Sequence, residues 1–214
     1  MKSGILISLI LFTLICYSCK PDDDEKAKMP VYAGITNSEM QYTELNPPIA
    51  VEVYHDTTNS YYYGSDSIDI EQDGTFDIII RVGYFDDDTI YYPTQNFYPF
   101  TSLTVKDSIQ FATEVEYYPM GLGTTGKIYW IDTLSYNQRI DDINTWYSDY
   151  LHQFMWVVPP SYFWGSNGTW YDLSDTEKYI GMRIKRGNEY KYGWIKVFAV
   201  SSEVLLFKSF AIQN

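Results

Sequence analysis

Cysteine is nearly missing: the chain has two, Cys16 and Cys19, both within its first 19 residues. Beyond that point no disulfide, thiol nucleophile or cysteine-based zinc site can form. Histidine is equally scarce, with only His55 and His152, so a three-histidine metal centre is excluded. Positive charge is in deficit, with 15 Lys and Arg against 28 Asp and Glu and a formal net charge of −13. A chain this acidic does not neutralise phosphates, which argues against nucleic acid as a partner and against adsorption to anionic lipid. No Gly-x-Ser-x-Gly nucleophile elbow occurs, and no glycines recur at a solenoid period.

The amino terminus supplies the clearest positive signal. Lys2 is followed by an apolar run over residues 5–15, the length of a signal-peptide core and short of the ~20 residues a membrane span needs. The run ends at Ser18-Cys19-Lys20-Pro21 and an acidic tract, Asp22 to Glu25. A small residue before a cysteine resembles a bacterial lipobox, with Cys16 in the place where leucine is usual. The resemblance implies that residues 1–18 are a signal peptide and that Cys19 carries acyl chains, such as palmitate, into a membrane. Loss of Lys2 with the leader would take the formal charge to −14. Residues 19–30, charged and with Pro21 and Pro30, read as a solvated tether. Residues 31–214 are the length of a single domain.

In the chain as a whole 22 Tyr, 11 Phe and 6 Trp dominate the apolar content, a composition that suits strands more than helices. Alternation predicts strands over residues 49–54, 67–71 and 76–85, the latter two joined across Asp73-Gly74. Residues 102–105 and 108–118 read as a further pair, followed by a strand over 127–131. Three strands at 178–185, 189–200 and 204–212 read as a meander, with Gly187-Asn188 in its first turn. One helix is predicted over 141–151, where Ile143, Trp146, Tyr147, Tyr150 and Leu151 recur at spacings of three and four behind Asp141. The expected architecture is mainly β: an antiparallel, jelly-roll-like β-sandwich with that one short helix.

The best local chemistry is Asp69-Ile70-Glu71-Gln72-Asp73-Gly74-Thr75-Phe76-Asp77. Side-chain oxygens stand at positions 1, 3, 5 and 9, glycine at 6, and residue 7 can offer a carbonyl, as a tight loop around a hard cation requires. The segment resembles the Asp-Gly calcium loops of secreted bacterial proteins. The resemblance implies Ca2+ held by Asp69, Glu71, Asp73, Thr75 and Asp77. Glu71 is longer than the usual Asp or Asn, and Ile80 at position 12 rules out an EF-hand. The competing reading is a metal-free acidic turn. Residues 67–72 also resemble the catalytic strand of laminarinase-like hydrolases, but Ser67 and Gln72 stand where both carboxylates should be.

Trp146, Trp156, Tyr162, Trp164 and Trp170 gather in one stretch of sequence. Aromatic rings there can stack on a sugar or peptide, with Trp156, Tyr162, Trp164 and Trp170 as the candidate ligand-binding set, or can cap the core. Tyr179-Ile180-Gly181-Met182-Arg183 and Tyr192-Gly193-Trp194-Ile195-Lys196 are similar to a strand pair near the end of uncharacterised Bacteroidota-type secreted lipoproteins, which also carry an Asp-Gly loop. That family implies an envelope β-domain and no known activity. The expectation is an outer-membrane lipoprotein, exposed at the cell surface, acting as a non-enzymatic binding or structural module for a glycan or protein partner. The alternative is a polysaccharide-acting hydrolase.

Overall fold

The computed structural model describes residues 29–51, 54–56, 61–86, 97–106, 108–121, 124–147, 152–156, 169–170, 173–201 and 204–214. Val31–Asn214 forms one compact unit. Its strands are β1 (Val31–Tyr32), β2 (Met40–Val51), β3 (Tyr54–Asp56), β4 (Tyr61–Ile68), β5 (Ile78–Asp86), β6 (Phe97–Val105) and β7 (Ile109–Gly121). They continue as β8 (Thr124–Ile131), β9 (Arg139–Ile140), β10 (Trp146–Tyr147), β11 (His152–Trp156), β12 (Thr176–Arg186), β13 (Glu189–Ser201) and β14 (Val204–Gln213). No helix occurs among the described residues.

The chain is a mainly β sandwich of packed, almost wholly antiparallel sheets, and β7 is its corner. Ile109 to Phe111 pair with Ile184 to Met182 of β12, and Phe111 and Ala112 pair with β10. From Thr113 onward the same strand pairs with β8 instead. One sheet therefore runs β2-β14-β13-β12-β7, and the other continues through β8-β11-β6-β5-β4-β3. Among the described residues the single parallel contact is β11 with β8. The expected pairing of the strands at 102–105 and 108–118 does not occur. β6 pairs with β5 and β11, and β7 with β8, β10 and β12.

The main core lies between the two layers. Ile180, Met182 and Ile184 of β12, Ile195 and Val197 of β13, and Phe207 and Phe210 of β14 meet Ile68, Ile78, Ile80 and Leu103 from the opposite sheet. The spacing of these residues is two, as a strand face requires. At β14 the register shifts between Phe207 and Ser209, so Leu205 and Phe207 before the bulge and Phe210 and Ile212 after it all point inward. The outer face of the β12–β14 meander is covered too. Val31, Ala33, Leu134 and Ile140, from the β1–β9 ribbon and its flanks, pack on Tyr179, Trp194 and Ala211. Burial on both faces explains the stretches 179–182 and 209–213, in which every residue is buried.

Two glycines permit close approaches, one between neighbouring strands and one between the sheet and the segment that covers it. A Cβ on Gly193 would lie 2.2 Å from the Ala211 carbonyl oxygen, and one on Gly181 2.9 Å from Leu134 Cδ1. Beneath the ribbon, the Trp194 indole N–H donates to the Ile35 carbonyl at 3.0 Å, and Trp194 meets Tyr179 edge-on with centroids 5.6 Å apart.

The helix expected over 141–151 is corrected by the structure: residues 141–144 form a turn and 146–147 a strand, while 148–151 lie outside the described residues. The cause is local side-chain competition with the helical ladder. Asp141 Oδ1 accepts from the Ile143 amide at 2.9 Å, and Asn144 Oδ1 accepts from the Asp141 amide at 3.0 Å. Ile143, assigned to the apolar helix face, is 87% exposed.

Candidate functional site

The Asp69–Asp77 loop joins β4 to β5, closed by the Ile68↔Ile78 pair and by the Asp77 amide donating to the Ile68 carbonyl at 2.9 Å. Gln72 and Gly74 adopt positive φ of 56° and 85°, the left-handed turn that Gly74 permits without cost. All five residues expected to ligate a cation thus lie in one loop. Their oxygens are directed at separate donors. Asp69 accepts from the Asp73 and Gly74 amides at 3.3 and 2.8 Å. Asp73 Oδ1 accepts from the Thr75 amide at 2.8 Å and from its hydroxyl. These bonds from Thr75, hydroxyl first, hold the Asp73 carboxyl below its ordinary value against the opposing effect of burial. Among the described residues no three acidic, histidine or cysteine side chains converge as a metal-holding group.

Asp77 is the buried member, 2% exposed. Its Oδ2 accepts from the Ile70 and Glu71 amides at 2.8 and 2.9 Å, cross-bracing the start of the loop to its end. Its Oδ1 receives no hydrogen bond of good angular geometry but lies 2.5 Å from Lys106 Nζ. The short ionic contact is the more telling of these two facts, because an ammonium this close satisfies the oxygen electrostatically whatever its angle. The Lys106 ammonium is held protonated above its ordinary range, chiefly by its hydrogen bond to Asp77, against desolvation and with the charges of Asp77, Asp73 and Glu71 adding. Glu71 pairs separately with Arg186 Nε at 3.1 Å. Lys106 and Arg186, 29 and 115 residues from their partners, carry no local signal in the sequence and were not among the expected site residues.

A second cluster lies on the outer face of the meander. Register sets Arg183 beside Tyr192 on β13 and Gln110 on β7. Its guanidinium lies over the Tyr190 and Trp146 rings, 3.9 and 4.7 Å from their centroids. Nε donates to Gln110 Oε1 at 2.6 Å, and Nη1 reaches Asp142 Oδ1 at 3.4 Å. The Tyr192 hydroxyl donates to the same carboxylate; burial first, then this bond to Asp142, pushes the phenol up to about 12. Trp146 and Tyr192 are tilted neighbours at 5.7 Å, and the Trp146 N–H donates to the Asp141 carbonyl at 3.0 Å. The turn that replaces the expected helix therefore presents Trp146 and Asp142 to Arg183. Nearby on the same sheet, Glu177 pairs with Lys196 at 3.0 Å and Lys208 at 3.5 Å. Burial alone would raise its carboxyl, but the bonds and charges of the two lysines outweigh that and lower it.

Of the expected aromatic ligand set, Trp170 is a core residue: it is 1% exposed, and its N–H donates to the Ile131 carbonyl at 3.0 Å. A ring this deeply packed offers no open face in this structure. Trp156 lies on β11, with its side chain outside the described set. Tyr162, Trp164 and Cys19 lie outside the described residues. The chain matches no protein-family profile, no curated protein and no solved structure.

Proposed function

We propose that the chain is a lipoprotein held in the outer membrane by acyl chains on Cys19, and that its β-sandwich is a non-enzymatic binding module for a glycan at the cell surface. The anchor is supported by the sequence of the leader, in which the apolar run, Ser18, Cys19 and the acidic tether follow in order. The observation that carries the binding role is the shelf around Arg183. Trp146, Tyr190 and Tyr192 are half-buried and stand beside a guanidinium that lies over two of them. Flat apolar rings rimmed by Arg183 and the 84% exposed Asp142 carboxylate combine the stacking surface and the polar edge that sugar recognition needs. The negative charge of the chain is consistent with a neutral or basic ligand in place of an anionic polymer.

A glycan array probed with the intact, detergent-solubilised chain tests this reading, with and without calcium. The expected result is retention of one polysaccharide class, weakened about tenfold or more by Trp146→Ala, the loss of roughly one stacked ring. Shortening of the glycan by the chain would make it a hydrolase and overturn the reading, as would retention that Trp146→Ala leaves unchanged.

A further inference from the structure

We infer that Lys106 is the resident cation of the Asp69–Asp77 loop: its ammonium meets the buried Asp77 carboxylate and supplies positive charge that a divalent ion would otherwise bring, so the loop keeps its shape without a metal.

The register of the sheet makes this contact obligatory. β5 and β6 are antiparallel with Ile78 opposite Val105, so the next residue on each strand, Asp77 and Lys106, must face each other. The Lys106 amide confirms the continuation by donating to the Asp77 carbonyl at 3.1 Å, and the Lys106 carbonyl in turn accepts from the Ile109 amide at 2.9 Å. Lys106 is thus fixed at both backbone ends, and its side chain delivers Nζ to Asp77 Oδ1 at 2.5 Å. Opposite charges directly across a ladder attract most strongly when one partner is desolvated, and the Asp77 side chain is 1% exposed.

The other carboxylates lead to the same conclusion. A calcium loop converges six to eight oxygens on one point at about 2.3–2.6 Å. Here Asp69 and Asp73 turn to amides of their own loop, and Glu71 turns outward to Arg186. Two monovalent side chains, Lys106 and Arg186, together supply the positive charge that one divalent ion would supply. Asp73 and Glu71 also act on Lys106 through their charges, so the ammonium sits in the field of the whole loop. Removing it would leave Asp77 as a buried carboxylate with one uncompensated oxygen beside two further acids, a site that a calcium ion can enter.

The test is thermal unfolding of the intact chain with millimolar calcium and with EDTA. The wild-type midpoint is expected to be the same in both to within about 1 °C, since a ligand that does not bind the native state cannot shift it. Lys106→Met is expected to lower the midpoint by roughly 5–10 °C, the loss of a buried pair discounted for a partly exposed lysine, and calcium is expected to restore much of that loss. Lys106→Arg, which keeps a cation, is expected to stay close to wild type without responding to calcium. A wild-type midpoint raised by calcium, or a Lys106→Met chain that calcium does not rescue, overturns the inference. If Lys106→Met does not fold in buffer alone, the double variant Lys106→Met/Asp77→Asn decides. With both charges gone it is expected to fold and to ignore calcium, and its failure to fold would show that the lysine acts through packing and overturn the inference.

Discussion

Replacing Asp77 with alanine should unlock the loop between β4 and β5. Asp77 Oδ2 is the sole acceptor that the structure assigns to the Ile70 and Glu71 amides, at 2.8 and 2.9 Å. A buried donor left without a partner costs about 1–3 kcal/mol. Ile70 is fully buried, so its amide takes the upper part of that range. Glu71 is exposed, and its amide can turn to water at little cost. The sum is about 3 kcal/mol, or about 6–12 °C in melting temperature for a domain of this size. Asp77→Asn keeps one carbonyl oxygen for the same two amides and should lose about half as much. Circular dichroism melts of the wild type and the two variants measure the shift, and amide hydrogen exchange at residues 70 and 71 locates it. An Asp77→Ala chain melting within about 2 °C of wild type, or unchanged protection at those two amides, would refute the claim that this carboxylate holds the loop.

Four further outcomes follow from the geometry. Gly193→Ala brings a Cβ within 2.2 Å of the Ala211 carbonyl oxygen, so β13 and β14 must separate at a cost of about 2–3 kcal/mol. Gly187→Ala, with φ of 62° but nothing within 4 Å of its Cβ, should cost only about 1 kcal/mol, and urea melts of the pair discriminate backbone clash from backbone conformation. Arg183→Lys weakens the cation–π contacts with Tyr190 and Trp146 and loses the bond from Nε to Gln110, for about 1–2 kcal/mol, measured by the same melts. Because the Tyr192 phenol is raised in the folded state to about 12, its contribution to stability is complete below the ordinary tyrosine value of 10.0 and disappears as pH rises through the folded value. The difference between wild-type and Tyr192→Phe phenolate absorbance should therefore titrate near 12, and a midpoint near 10 would contradict the burial of the phenol and its bond to Asp142.

Much of the β-architecture was legible because strand faces and turns leave local marks. Alternation and Asp73-Gly74 disclosed β5 and the turn before it, although the strand expected over 67–71 overlaps β4 only at Ser67 and Ile68; Gly187-Asn188 with three apolar runs disclosed the β12–β14 meander. Gly193 stood within a quoted strand motif, and the structure sets it where the Ala211 carbonyl oxygen leaves no room for a Cβ. The helix at 141–151 failed for a physical reason: apolar spacing of three and four was outweighed by Asp141 and Asn144, whose side chains bond their own backbone. The first part of β2 was missed because Asn46, Pro47 and Pro48 argue against a strand. An edge position, paired on one side only with β14, tolerates them. The loop 69–77 was recognisable as an acidic turn, but its cations were not. Lys106 and Arg186 reach it through sheet register, which no window of sequence contains. Arg183 likewise lay in a quoted motif without distinction until Gln110, Trp146 and Tyr190 were brought to it from three other strands.

Mass spectrometry of the amino-terminal peptide, taken from the chain extracted from membranes of a lipoprotein-processing bacterium, tests the anchored-module reading most directly. A peptide beginning at Cys19, with a diacylglyceryl group on its sulfur and loss of membrane fractionation in Cys19→Ala, is the predicted result. An unmodified cysteine, or a Cys19→Ala chain that remains with the membrane, would contradict it.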